Sequence, residues 1–136
     1  MPKLDHVLET ALYFDDLDAA QRFYEQVLEL VPIFNDQRLH GYAIGNTVLL
    51  LFQRGSSLDT IELPGGTIPP HDGAGPVHVA FSIAADERDV WEERLKDAGV
   101  AIEGRTHWAR GGDSIYFRDP DGHLLELATP GLWPGY

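Results

Sequence analysis

Apolar and polar residues follow the same pattern twice along this chain. Each half opens with a short apolar run, continues through an Asp-rich turn into apolar residues at helical spacing, and ends with three more short apolar runs. The first strand and helix read DHVLETALYF and DDLDAAQRFYEQVLEL, and their counterparts read VHVAFSI and AADERDVWEERLKDAGV. The repeat predicts two β-α-β-β-β modules and therefore an α+β fold.

The predicted helices begin and end at residues that favour helix termini. Asp16 or Asp18 is the predicted N-cap of the first helix, Asp86 is that of the second, and Gly99 is the predicted end of the second helix. The runs VPIF, HGYAI and TVLLLF, and later VAI, SIYF and HLLELA, predict the remaining strands. A Gly-Asn pair and an Asp-Gly pair predict turns before the last strand of each module.

The two modules are predicted to share a single domain over residues 1–136. The first module covers about residues 1–62, the second covers about 77–136, and the segment 63–76 between them reads LPGGTIPPHDGAGP. Its four glycines and four prolines predict a loop or linker that could also act as a lid over a site.

The composition indicates which partners the protein can bind and in which compartment it is expected. The formal charge is −12, from 10 Lys and Arg against 22 Asp and Glu, so the surface repels phosphate groups and we expect no nucleic-acid or membrane binding. No run approaches membrane-spanning length, and the absence of cysteine excludes disulfides and thiolate ligands and fits a reducing cytoplasm. A small molecule is the predicted partner.

Three residues within strand-like runs carry candidate chemistry: His6, His78 and Glu126. Two imidazoles and one carboxylate could converge on one divalent metal ion and leave coordination positions open for a substrate. A carboxylate placed among three leucines would be costly to bury, and a cation would relieve that cost. The alternative is that each His is hydrogen-bonded or exposed and that the Glu points to water.

Several motifs resemble the vicinal oxygen chelate superfamily, which includes glyoxalase I, extradiol dioxygenases, fosfomycin-resistance enzymes and bleomycin-resistance proteins. They are DHV at the start, FYEQVLEL in the first helix, GPVHVAF in mid-chain and YFRDPDGHLLELATPG near the end. The resemblance implies that the modules form an open, curved mixed sheet around a central groove. It also implies that His6, His78 and Glu126 are metal ligands and that the protein is a homodimer.

Within that family, the residues favour a dioxygenase-like reaction. Glyoxalase-type sites take a fourth ligand, a Glu, from the last strand of the first module, but TVLLLF has no carboxylate and Leu49 aligns with Glu126. The three remaining ligands match the His-His-carboxylate pattern of non-heme Fe(II) oxygenases. The run from His107 to Glu126 resembles the ring-cleaving dioxygenase signature, which implies catalytic roles for Tyr116 and His107.

Two positions depart from the dioxygenase pattern, namely Arg105 within the signature and Leu63 where a further catalytic His is usual. Three alternatives therefore stay open: a fosfomycin-resistance-type metalloenzyme, a glyoxalase- or isomerase-type metalloenzyme, and a metal-free, bleomycin-type binding protein. The stretch GGDSIYFRDPDGH also resembles fosfomycin-resistance enzymes, although residues 101–114 lack their supporting lysine. One divalent metal ion per site is expected, Fe²⁺ first, with Mn²⁺, Zn²⁺ or Ni²⁺ as alternatives.

Overall fold

The computed structural model describes residues 1–136 and divides the chain into two compact units, Met1–Ala74 and Gly75–Tyr136. Each unit contains one helix and a mixed four-stranded sheet in which the first and last strands of the module run parallel. The predicted α+β fold of two repeated modules is confirmed. The grouping of both modules into a single domain stays a prediction. Neither helix is long and apolar enough to cross a bilayer.

The first unit is built on the sheet order β1-β4-β3-β2. Its elements are β1 (Glu9–Phe14), α1 (Leu17–Gln26), β2 (Val31–Asn35), β3 (Leu39–Ile44), β4 (Thr47–Gln53), β5 (Ile61–Leu63) and β6 (Gly66–Ile68). Strand β1 runs parallel to β4, and the other neighbours in this sheet are antiparallel. Strands β5 and β6 form a separate hairpin.

Alternation along the strands of the first unit separates a face that packs on α1 from an open face. Leu12 and Phe14 of β1, and Leu49 and Leu51 of β4, are at most 3% exposed. The ring of Phe14 meets that of Tyr24 of α1 edge-on, with the ring centroids 5.9 Å apart. Burying such side chains contributes about 1.5–3 kcal/mol each. The alternate strand residues consequently point away from the helix.

The second unit repeats this arrangement with the sheet order β7-β10-β9-β8. Its elements are β7 (His78–Ser82), α2 (Arg88–Asp97), β8 (Gly104–His107), β9 (Asp113–Arg118) and β10 (Leu124–Ala128). Leu95 of α2, Phe117 of β9 and Leu125 of β10 are fully buried. Glu126 follows Leu125 directly and therefore faces the opposite side of the sheet.

Three predicted segments differ from the structure. The first strand begins at Glu9 and not around His6, because its parallel partner β4 begins only at Thr47. The run at 100–102 is not a strand, since the N–H of Val100 closes the end of α2 on the Leu95 carbonyl oxygen (2.8 Å). The predicted linker 63–76 contains β6, so part of it is a regular hairpin.

The helix termini follow the predictions in two of three cases. Asp16 caps α1, and its Oδ1 accepts from the N–H of Ala19 at 3.0 Å. Gly99, at φ +75°, ends α2 as predicted. The predicted cap Asp86 is wrong, because a turn closed by the N–H of Glu87 on the Ala84 carbonyl oxygen (3.0 Å) moves the N-cap to Glu87, which makes no side-chain cap bond.

Replacing Asp16 with Ala is expected to lower the free energy of unfolding by about 1 kcal/mol, because the N–H of Ala19 loses its acceptor. The matched control is Asp86→Ala, which removes the same side chain near α2 without removing a cap bond. Urea unfolding monitored by circular dichroism measures both variants. Equal losses in the two variants would contradict the assignment of Asp16 as a cap.

Candidate functional site

The open face of the second sheet carries a His–Glu pair. His78 begins β7 and Glu126 lies in the neighbouring strand β10, with His78 Nε2 3.2 Å from Glu126 Oε1. His78 Nδ1–H donates to the carbonyl oxygen of Leu124 at 2.9 Å, which puts the proton on Nδ1 because a carbonyl can only accept. A carboxylate also only accepts. The contact between Nε2 and Glu126 Oε1 is therefore favourable only when a proton or another cation lies between the two atoms.

Glu126 is buried, at 5% exposure. Its Oε2 accepts from the Ser114 hydroxyl at 2.5 Å, and Ser114 Oγ in turn accepts from the indole N–H of Trp108 at 2.8 Å. This chain of donors holds the carboxylate in one orientation and offsets its desolvation. Leu125 and Leu127 face the opposite side of the sheet from Glu126. The polar side chains of Ser114 and His78 contact the carboxylate. Ser114 and Trp108 were not predicted; the recurrence of polar residues two apart in β9 could have indicated Ser114.

Tyr116 lies directly opposite Glu126 in the antiparallel register of β9 and β10. Its ring centroid is 6.3 Å from that of His78. Burial raises the pKa of the Tyr116 hydroxyl above its ordinary value, and the negative charge of Glu126 raises it further. Both effects favour the protonated hydroxyl, which can serve as a hydrogen-bond donor beside the pair.

The turn before β10 aims the His–Glu pair. Asp119 Oδ1 accepts from the N–H groups of Asp121 and His123, at 3.0 Å each, and so stabilises the predicted Asp-Gly turn. His123, to which the sequence assigned no chemistry, is 2% exposed, and its Nδ1 accepts from the N–H of Val77 at 3.1 Å. This bond ties the residue before His78 to the start of β10. His123 is therefore a structural neighbour that positions the site.

His107, predicted to be catalytic, lies on the other face of the same sheet. It pairs with Asp113 in the register of β8 and β9, and its Nδ1 donates to Asp113 Oδ1 at 2.9 Å. Asp113 is an odd number of residues from Tyr116, so the two side chains of β9 point to opposite sides. Asp113 also lies 3.6 Å from the guanidinium of Arg88 on α2. His107 is therefore hydrogen-bonded to Asp113 on the face away from Tyr116, and its catalytic role stays a prediction.

His6 lies before β1 in the first unit and is exposed, with its Nδ1 donating to Asp5 Oδ2 at 2.8 Å. Neither unit contains a group of three His, Asp or Glu side chains arranged to hold a metal ion. The structure thus brings together two of the three predicted ligands, His78 and Glu126. The role of His6 stays a prediction.

The register identifies which residue of the first unit occupies the position of His78. His78 pairs with Leu124, two residues before Glu126, in the parallel strands of the second unit. In the first unit Glu9 pairs with Val48, two residues before Leu50 on the same face. Leu50 is thus the counterpart of Glu126, and the predicted counterpart Leu49 is buried against the helix. Glu9, which the sequence reading missed, is the counterpart of His78.

The donor set of the second unit suits a divalent cation. An imidazole with Nδ1–H bonded to a carbonyl presents Nε2 as a ligand, and a carboxylate held by a hydroxyl presents the other oxygen. Both donor atoms converge within hydrogen-bonding distance on the open face. A cation at this place would satisfy two groups that otherwise need a shared proton.

The sequence model of the Glyoxalase/Bleomycin resistance protein/Dioxygenase superfamily matches residues 3–127 of this chain. A metallothiol transferase FosB from Bacillus licheniformis is 33% identical over 115 residues, which are 84% of this chain and 68% of that protein. A second metallothiol transferase FosB, from Shouchella clausii, is 35% identical over 116 residues, which are 84% of this chain and 73% of that protein.

Two solved structures are similar to this chain over almost its whole length. The crystal structure of a lactoylglutathione lyase from Agrobacterium tumefaciens superposes with a TM-score of 0.88 at 33% identity, over 97% of this chain and 98% of that one. The fosfomycin resistance protein FosX from Listeria monocytogenes superposes with a TM-score of 0.65 at 26% identity, over 97% of this chain and 96% of that one.

Removing the charge of Glu126 is expected to lower the pKa of Tyr116 part of the way toward its ordinary value, because burial, the larger cause of the rise, remains. The measurement is a spectrophotometric titration of phenolate in Glu126→Gln. The contribution of Tyr116 is isolated by subtracting the titration of Tyr116→Phe in each background. A Tyr116 pKa that is unchanged by Glu126→Gln would contradict the electrostatic coupling.

Proposed function

This chain belongs to the Glyoxalase/Bleomycin resistance protein/Dioxygenase superfamily, and from that premise we propose that it is a divalent-metal-dependent enzyme that transfers a thiol to a small substrate. The observation that carries the proposal is the His78–Glu126 pair, whose facing donor atoms call for a proton or a metal ion. The sequence favoured a dioxygenase and kept a fosfomycin-resistance-type metalloenzyme as one alternative. The relatives support that alternative, because two of them are metallothiol transferases.

In the proposed reaction, the thiolate sulfur forms a bond to a substrate carbon, the bond from that carbon to oxygen breaks, and the oxygen takes up a proton. A bound metal ion would act as a Lewis acid toward the substrate oxygens. Tyr116, whose hydroxyl is protonated at neutral pH, would donate a hydrogen bond to the oxygen on which negative charge develops. Ser114 would hold Glu126 in its binding orientation.

The choice of metal ion follows from the reaction class. Thiol transfer needs Lewis acidity and no change of oxidation state, so Mn²⁺, Zn²⁺ or Ni²⁺ suits the proposed reaction as well as Fe²⁺, the ion that the sequence favoured. The substrate would be a small molecule with adjacent oxygens. A cytoplasmic homodimer remains part of the proposal.

The first module would contribute one further metal ligand. The sequence predicts His6 for this role, whereas the register favours Glu9, which stands where His78 stands in the second module. Carboxylate oxygen and imidazole nitrogen are both ordinary ligands of the metals proposed.

We expect His78→Ala and Glu126→Ala to lose metal binding by more than the roughly 10–100-fold that outer-shell changes cause. Elemental analysis of untagged protein and metal titration by calorimetry measure the loss, and thermal unfolding checks the fold. His107→Ala is the matched control, because that imidazole lies on the other face of the sheet. Normal metal content in both ligand variants would remove the metal from the proposal.

The same assay separates the two ligands offered by the first module. We expect Glu9→Gln to lose metal and His6→Gln to keep it, because only Glu9 has the strand position equivalent to that of His78. The reverse result would restore His6. Full metal content in both variants would mean that the first module supplies no ligand at either residue.

The reaction itself is tested with the Mn²⁺-loaded protein, fosfomycin, and either cysteine or glutathione. We expect a product whose mass equals that of fosfomycin plus the thiol, and a rate roughly 100-fold lower in Tyr116→Phe at unchanged metal content. Oxygen uptake with a panel of catechols, after anaerobic loading with Fe²⁺, is the opposing assay. Uptake of oxygen without any thiol adduct would overturn thiol transfer in favour of the dioxygenase.

A further inference from the structure

The first unit contains a cavity of about 600 Å³ on the open face of its sheet. Its floor includes alternate residues of β4, Val48, Leu50 and Phe52, and Ile61 and Ile68 of the β5–β6 hairpin contribute further apolar wall. This volume is within the usual range for small-molecule sites, about 300–1,000 Å³. The apolar walls would cover the faces of a flat, water-poor group such as an aromatic ring.

Arg38 supplies the cationic group of this cavity. Its guanidinium carbon lies 5.5 Å from the centroid of the Phe52 ring, and its Nη1 donates to the hydroxyl of Ser57 at 3.0 Å. A guanidinium carries five N–H donors in a planar fork, and a neutral hydroxyl takes up one of them here. The remaining donors match the two oxygens of a carboxylate, which is the partner that guanidinium binds in bidentate geometry.

The segment after the hairpin closes the same end of the cavity. The Tyr13 hydroxyl and His71 Nδ1 are 2.5 Å apart, and the His71 ring meets Phe52 edge-on at 4.8 Å between centroids. The N–H of His71 donates to the Ser57 carbonyl oxygen at 2.8 Å. Gly73 lies so close to Tyr13 that an added Cβ would be 2.5 Å from its ring. These contacts place two more polar side chains beside Arg38.

The opposite end of the cavity carries Glu9, which pairs with Val48, whereas Arg38 lies against Phe52. Val48 and Phe52 are four positions apart in an extended strand, which is about 13 Å at the usual rise per residue. When no metal ion is bound at Glu9, an anion would be repelled at the Glu9 end and attracted at the Arg38 end. In a chain with a net charge of −12, such a local cation is what an anionic ligand requires.

We propose that this cavity binds a flat aromatic ring bearing one carboxylate. The ring lies against Leu50 and Phe52 beneath the β5–β6 hairpin, and the carboxylate meets Arg38 beside Tyr13 and His71. The orientation is fixed by charge, because the reverse orientation would bring the carboxylate to Glu9. The proposal rests on the first unit alone. Because Glu9 is also the residue proposed above as a metal ligand, the binding test is made on metal-free protein, so that its outcome is separate from that of thiol transfer.

The test uses two probes of the same shape, 2-naphthoate and the neutral 2-naphthalenemethanol, titrated by calorimetry in the presence of a metal chelator. We expect wild-type protein to bind the carboxylate about tenfold more tightly than the alcohol. Arg38→Gln should abolish that preference. Arg22→Gln, which removes the same charge from the exposed side of α1, should retain it.

Backbone amide shifts in NMR spectra locate the bound probe and show that Arg38→Gln remains folded. We expect the largest shifts in β1, β4 and the β5–β6 hairpin. Equal affinities of wild-type protein for the two probes, an unchanged preference in Arg38→Gln, binding of neither probe, or shifts confined to the second unit would each overturn the proposal.

Discussion

A nearly buried carboxylate governs the chemistry of the second unit. Glu126 is 5% exposed, and leaving such a group charged without partners would cost several kcal/mol. One of its oxygens accepts from Ser114, and the other faces His78. The backbone bond of His78 takes the proton of Nδ1, so Nε2 and the carboxylate meet as two groups in need of one cation. The rest of the site is arranged around that requirement.

The two modules show how one scaffold carries two kinds of open face. Both bury Leu- and Phe-rich strand faces against a helix, and both pair their first and last strands in parallel. The position of Glu126 is taken by Leu50 in the first module, and the position opposite it changes from Tyr116 to Gly41. The second face is consequently polar. The first face becomes an apolar cavity with charges only at its ends.

The positioning of the His–Glu pair depends on backbone geometry more than on the pair itself. Asp119 holds the turn before β10 through two N–H groups, and His123 connects that turn to the strand that begins with His78. A side chain that accepts a backbone N–H can thus determine where a ligand nitrogen lies. His123, although buried, therefore helps to position the site.

The sequence by itself determined the module repeat, an Asp cap at the start of the first helix and the turn before β10, because local periodicity and turn chemistry decide those features. The candidate status of Tyr116 came from the resemblance of its motif to a known family, and that of Glu126 from both the residue itself and the resemblance. Tertiary structure decided what periodicity leaves open. Strand pairing moved the first strand past His6 and set Glu9 in the position equivalent to His78. Side-chain alternation placed His107 on the face opposite Tyr116. The packing of β9 beside β10 brought the Ser114 hydroxyl into a hydrogen bond with Glu126. These outcomes depend on register, and a slip of one residue would reverse every face.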